Sequence, residues 1–261
     1  MKHETIRKNA KKYLRAIDHN ITVLKKQYDS IAIHDMRVAF KKLRTLLSID
    51  NRLTDVKNEK PFVSFKRIYD AAGELRDQQI YQEAVSKYLQ GPVVSNVNLK
   101  NTFALHLEHS LNIALGELDA DKFYSLIDGV MVHPITQQEI RRFIDKQYAA
   151  IAEISDDLLS DDALHKVRKH YKNILYSIPY LQVREKNKRY IGGRKMLEVI
   201  TVELGDYIDT CTKLMRSKHQ LANIAAVELR IILERVQTDW LVEKHKQKER
   251  LVKQLLKVTR F

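Results

Sequence analysis

Residues 33–47 read IHDMRVAFKKLRTLL, and their spacing predicts a helix with two opposed stripes. At about 100° per residue, with His34 at zero, Arg37 falls near −60°, Lys41 near −20° and Arg44 near −80°. Leu46, Ala39, Leu43, Met36, Leu47 and Phe40 fall between about 120° and 240°, on the opposite side. One stripe suits a core; the other is a row of cations about 15 Å long at the rise of an α-helix. Like charges at such spacing repel by roughly a few tenths of a kcal/mol per pair. A helix shaped by stability alone would intersperse acids three or four residues along. None is there, and Asp35 points about 100° from His34, toward the edge of the apolar stripe. An arriving anion would turn that repulsion into attraction.

The pattern returns as LHKVRKHYKNILYSI at 164–178, with His165 and His34 separated by 165 − 34 = 131 residues. His165, Arg168 and Lys172 repeat the spacing of His34, Arg37 and Lys41. Leu175 stands opposite Arg44, and Asn173 opposite Lys42. GELRDQQI at 73–80 lies over VELGDYID at 202–209, which sets Gly205 opposite Arg76, and KKYL at 11–14 lies over RRFI at 141–144. Three matches in the same order predict a duplicated helical unit. The units span about 1–130 and 131–261, each with about four helices as in a bundle, within one domain covering 1–261. A pseudo-twofold arrangement of the units would turn both cationic stripes into a central basic cavity.

The rest of the chain agrees with an all-α fold. Its 261 residues leave room for a sizeable core. Only 7 Gly and 4 Pro interrupt them, which favours long helices. Apolar periodicity predicts helices near 4–28, 31–50, 61–90, 98–115, 135–157, 161–182, 190–217 and 219–257, with Pro61 and Pro134 at helix starts. No stretch alternates as a strand does.

Net charge is +13 and the pI about 9.6, which points to nucleic acid, an anionic membrane surface or a free polyanion as partner. Residues 108–162 carry 12 acidic and 4 basic residues, whereas 1–26, 34–44, 184–195 and 244–260 are strongly basic. The expectation is an acidic outer surface, with the basic pieces converging elsewhere. Cys211 is the one cysteine, so no intrachain disulfide forms and a reducing compartment is the simpler reading. The N-terminal stretch lacks the apolar core of a signal peptide, and no apolar run approaches the roughly 18 residues of a membrane span. The expected protein is soluble and cytoplasmic.

Other chemistry is thinly supported. His34 and Asp35 diverge on a helix, and no further His/Asp set has ligand spacing, so no metal is expected. His106 and His109 lack a third ligand and read as surface histidines. Gly192-Gly193-Arg194-Lys195 reads as an inter-helix turn, with Arg184, Lys186, Lys188 and Arg189 extending a basic mouth. Cys211 reads as a buried thiol, and Trp240 and the 12 tyrosines as core and interface residues. The run KHKQKERLVKQLLKVTRF at 244–261 reads as the solvated end of a long helix rather than a membrane-surface helix.

IHDMRVAFKKLRTLL resembles the signature helix of the CHAD (conserved histidine α-helical domain) family, and LHKVRKHYKNILY resembles its second signature helix. GELRDQQI is similar to the family's Leu-Gly-x-x-Arg-Asp segment. The resemblance spans nearly the whole chain. It implies paired four-helix units around a basic cavity that binds inorganic polyphosphate, in a binding module rather than an enzyme. Carried onto this sequence, the polyphosphate-binding residues are His34, Arg37, Lys41, Lys42, Arg44, Arg76, His165, Arg168 and Lys172. Lysines 41 and 42 stand where arginines are common, and supply charge without a planar fork. With Gly205 and Leu175 in place of cations, the second half is expected to contact the ligand less.

The expected function is therefore non-enzymatic polyphosphate binding, without cofactor, at polyphosphate granules. Binding is expected to fall with salt and, through the motif histidines, to strengthen below neutrality. The protonation state of those histidines stays open. Two rival classes remain. A nucleic-acid-binding protein is supported by charge but lacks a reader motif. An enzyme of phosphate metabolism lacks the acidic metal ligands that such chemistry needs.

Overall fold

The structure, a computed structural model, describes residues 3–88, 102–132, 134–154, 160–181, 193–222 and 227–258. Its α-helices are α1 (His3–Lys26), α2 (Ser30–Ser48), α3 (Arg52–Val56), α4 (Lys60–Ser86), α5 (Thr102–Glu117), α6 (Ala120–Val130), α7 (Gln137–Ile154), α8 (Asp161–Ser177), α9 (Arg194–Leu221) and α10 (Val227–Val258). A 3₁₀ turn, Ile178–Tyr180, follows α8. No strand occurs among the described residues, so the all-α expectation holds. No helix among them is long and apolar enough to cross a membrane.

Local chemistry sets the boundaries that matter. Asp29 caps α2 from an extended backbone, its Oδ1 accepting from the amides of Ile31 at 2.7 Å and Ala32 at 2.8 Å. Asn51, at φ 68°, turns the chain from α2 into α3 in the left-handed region that Asn tolerates. Pro179 cannot continue the α-helical ladder, so α8 stops at Ser177, short of the expected 182.

Two helices were not anticipated. α3 is only five residues long, too short to show a period. α6 begins at Asp119, whose side chain accepts from the Lys122 amide at 3.1 Å, and buries Phe123 and Ile127. Between α9 and α10 the expected break at 218 falls instead after 221, because KHQLANIAAVEL has neither Gly nor Pro to mark it.

The chain forms two compact units. Unit 1 holds Met1–Arg76, Thr102–Tyr148 and Lys172–Arg194; unit 2 holds Asp77–Asn101, Ala149–Tyr171 and Lys195–Phe261. Each therefore draws segments from both halves of the sequence repeat.

Unit 1 is built on α2. Its predicted apolar stripe, Met36, Ala39, Phe40, Leu43, Leu46 and Leu47, is buried throughout. Phe40 meets Phe65 at 4.7 Å and Tyr69 at 5.0 Å between ring centroids, and Phe65 stacks on Phe123 at 4.6 Å. Each such ring contributes about 1.5–3 kcal/mol by burial. The stripe fixes which face of α2 points outward, and hence where its cations lie. Below it, the buried Arg52 pairs with Asp50 at 2.5 Å and donates to the Met131 sulfur at 3.7 Å, tying α3 to the end of α6. Unit 2 has its own core of Tyr81, Val85, Leu214, Leu233, Val236 and Trp240, so the core reading of Trp240 is correct.

Candidate functional site

Seven of the nine candidate residues fall in unit 1 (His34, Arg37, Lys41, Lys42, Arg44, Arg76, Lys172) and two in unit 2 (His165, Arg168). On α2, His34 is exposed, whereas Arg37, Lys41, Lys42 and Arg44 are half-buried along the face opposite the core stripe.

Arg37 is held rather than loose. Its Nη1 donates to the Tyr69 carbonyl, and its guanidinium carbon sits 4.2 Å from the Tyr69 ring centroid. The same group lies against Gly73, one turn further along α4. A Cβ on Gly73 would overlap Nη1 and stand 3.0 Å from the guanidinium carbon and 3.1 Å from Nη2, so the guanidinium would have to shift.

Lys42 and Lys172 converge on one aromatic ring. The Lys42 ammonium lies 5.9 Å from the centroids of both Tyr13 and Tyr176, and that of Lys172 lies 5.9 Å from Tyr176. Within unit 1, then, the first motif helix meets the end of the second. Asn173 explains the meeting. Its side chain accepts from the Thr45 hydroxyl at 3.1 Å and donates to Gln147 Oε1 at 3.0 Å. The residue that breaks the cation pattern of the second copy thus joins α8 to α2 and α7. Arg76 is half-buried on α4, three residues after Gly73.

Carboxylates are distributed unevenly around these cations. On α1, Arg7 and Lys11 pair with Asp128 at 3.0 and 3.6 Å; on α4, Lys66 pairs with Asp70 at 2.5 Å and Arg67 with Glu117 at 3.0 Å. The basic N-terminal stretch is thus partly neutralised by the acidic middle segment, contrary to the expected segregation. Among the described residues, His34, Arg37, Lys42 and Arg44 have no carboxylate within ion-pair distance.

In unit 2, His165 and Arg168 are half-buried on α8. Arg168 lies against Gly205 of α9, with its Nη2 3.3 Å and its Nε 3.5 Å from where a Cβ would be. Its buried Nε–H has no hydrogen-bond partner among the described residues. By packing, Gly205 therefore corresponds to Gly73 and not to Arg76, a shift of three residues from the sequence alignment. At the start of α8, Asp161 accepts from Lys244, from Lys248 at 3.2 Å and from the Tyr207 hydroxyl at 2.6 Å. Burial alone would raise its pKa, but the hydrogen bonds from Lys244, Tyr207 and Lys248 outweigh burial and hold it at about 2. Lys244 and Lys248 of the basic C-terminal run thus share one carboxylate. Cys211 is half-buried, with Sγ 4.0 Å from Asp161, and burial pushes its thiol pKa up. That is the opposite of an activated nucleophile.

His106 and His109 are exposed, as expected of surface histidines. Among the described residues no group of three His, Cys, Asp or Glu could hold a metal ion. Arg184, Lys186, Lys188, Arg189 and Gly192 lie outside the described residues, and Arg194 and Lys195 are exposed at the start of α9.

A family model described as the CHAD domain matches residues 9–216. The chain belongs to the CHAD domain family. All nine candidate residues lie inside the matched span, whereas α10 lies beyond it. Among solved structures, the CHAD domain from the plant Ricinus communis is similar at a TM-score of 0.73 and 15% identity, over 97% of this chain and 91% of that one. At that identity the likeness establishes the shared CHAD fold. No curated protein matches. Neither the family model nor the plant structure is named as an enzyme. Sequence reasoning missed Tyr13, Tyr69, Tyr176 and the two glycines as parts of the site. The available signal was a glycine in the middle of a predicted helix, where it costs about 1 kcal/mol against Ala.

Proposed function

We propose that this CHAD domain binds inorganic polyphosphate without transforming it, through His34, Arg37, Lys41, Lys42, Arg44, Arg76 and Lys172. His165 and Arg168 take the same class of ligand. The observation that carries this reading is that His34, Arg37, Lys42 and Arg44 share one helix without a carboxylate partner among the described residues, whereas Arg7, Lys11, Lys66 and Arg67 of the same unit are each paired with one.

Polyphosphate is a chain of repeated anionic oxygens without bases. Lysine ammoniums bind it as point charges and arginine as a fork, in charge-assisted hydrogen bonds. Tyr13, Tyr69 and Tyr176 stand against cations, which suits them to holding lysine and arginine more than to stacking bases. This favours a base-free polyanion over single-stranded nucleic acid. A protein with this affinity would collect where the polymer accumulates, at polyphosphate granules.

Competition decides the question. Immobilised protein is challenged with long-chain polyphosphate, DNA and RNA at matched phosphate concentration and salt. Selective retention of polyphosphate, without release of orthophosphate on prolonged incubation, is the expected result. Equal retention of all three overturns the specificity, and released orthophosphate makes the protein an enzyme.

A further inference from the structure

The structure points to Gly73 and Gly205 as positioning residues, each a seat in a helix interior that fixes a motif arginine for ligand; this rests on the polyphosphate reading above. Four helical glycines can be compared. At Gly116 and Gly129 a Cβ would meet nothing within 4 Å. At Gly73 and Gly205 the three nearest atoms belong to Arg37 and Arg168 respectively. The pairing recurs at nearly the same separation, 73 − 37 = 36 and 205 − 168 = 37 residues.

The chemistry of the seat is specific. A guanidinium offers five N–H donors in a rigid plane. On Gly73, Arg37 commits one donor to the Tyr69 carbonyl and one face to the Tyr69 ring, which fixes the plane. Its other N–H groups make no hydrogen bond among the described residues. On Gly205, the Arg168 Nε–H is buried without an acceptor among the described residues. Holding each fork in place before the ligand arrives removes the entropy of ordering a long side chain from the binding step. A methyl group at either glycine displaces the far end of a flexible side chain and leaves the helix intact. The change is thus addressed to the arginine.

Gly73→Ala and Gly205→Ala, with Gly116→Ala as control, are each compared with wild type by thermal unfolding and by titration with long-chain polyphosphate. Gly73→Ala should keep its helicity and unfold within a few degrees of wild type, because Ala favours helix. It should bind about tenfold more weakly, the worth of one charge-assisted hydrogen bond. Gly205→Ala should lose less, since the guanidinium there need give way by only a few tenths of an ångström. In an Arg37→Ala background, Gly73→Ala should change affinity no further. If wild type binds and Gly73→Ala binds equally well, the inference is overturned while the polyphosphate reading stands. A loss that persists undiminished in the Arg37→Ala background also overturns it. If wild type itself fails to bind, the polyphosphate reading falls and takes the ligand role of both glycines with it. Should Gly73→Ala not fold, Gly205→Ala decides: weakened binding that vanishes in an Arg168→Ala background supports the seat, and unchanged binding overturns it.

Discussion

Replacing Lys42 and Arg44 together by Ala tests whether unpaired cations, and not net charge, hold the ligand. Both side chains are half-buried on α2 without carboxylate partners. Each contributes about 1.5 kcal/mol or more as a charge-assisted contact with phosphate. Together they are worth about 3 kcal/mol, a hundredfold or more in affinity. Loss of two phosphate contacts should also flatten the dependence of log K on log salt by about 1.5, by analogy with nucleic acids. Little stability is at stake, because Lys42 touches the Tyr13 and Tyr176 rings at 5.9 Å, the outer range of a cation–π contact. The control removes two cations of the same unit that already have partners, Lys66→Ala with Arg67→Ala. Their side chains are 57% and 64% exposed and pair with Asp70 and Glu117. The control changes net charge equally and in addition leaves two carboxylates uncompensated. If bulk charge governed binding, the control would weaken it at least as much. Titration with long-chain polyphosphate at several salt concentrations separates the cases. Equal losses in the two double variants, or wild-type binding by Lys42→Ala/Arg44→Ala, would refute the reasoning.

Three further outcomes concern the scaffold. Arg52→Ala should destabilise the protein by about 3–5 kcal/mol, because it strands the Asp50 carboxylate, whose pKa burial already raises, inside unit 1; urea unfolding reads the loss, and a change under 1 kcal/mol would show the pair to be dispensable. Trp240→Ala should cost about 3–5 kcal/mol by opening the unit 2 core around Tyr81 and Leu233, seen as a lower unfolding temperature; an unchanged temperature would mean that α10 is not part of that core. For Asp161, a carboxyl depressed from 3.8 to about 2 gives stability that is present above pH 4 and lost as pH falls toward 2. Asp161→Asn should therefore be less stable than wild type at pH 6, with the gap closing near pH 2; a constant gap across that window would mean that ionisation of Asp161 is not what matters.

Much of the fold could be read from spacing alone, because α1 and α2 bury the residues that a 3.6-residue period selects. Ile6, Ala10, Leu14, Ile17, Ile21 and Leu24 of α1 are all buried, as are the six stripe residues of α2. What failed was local. α6 carries an Asp119 cap and then Phe123, Leu126, Ile127 and Val130, a readable helix hidden in a segment noted only for its acidity. The identities of the cations were readable because charge is printed in the sequence. Their partners were not, since ion pairing joins residues far apart in the chain, as Arg7 does with Asp128 and Lys244 with Asp161. Nor could an alignment of two diverged segments see that Gly205 matches Gly73, because the match lies in what each glycine receives and not in its neighbours.

That last point changes how the motif is understood. In sequence the signature is a row of cations, and the row alone suggests a diffuse electrostatic surface on which any polyanion would sit. In the structure Arg37 is the least diffuse member of it, and Arg168 packs against a glycine in the same way. A glycine inside α4 or α9 costs about 1 kcal/mol relative to Ala, in a chain with only 7 glycines altogether. Gly73 and Gly205 stand where Ala would strengthen the helix, and the atoms nearest an added methyl are those of a guanidinium. On the inference drawn above, helix stability is forgone at two positions in return for two positioned forks, while the lysines keep the latitude of four-carbon stems. A ligand recognised in that way must offer oxygens in planes that a fork can meet, with charge along its length for the lysines. A polymer of linked phosphates offers both.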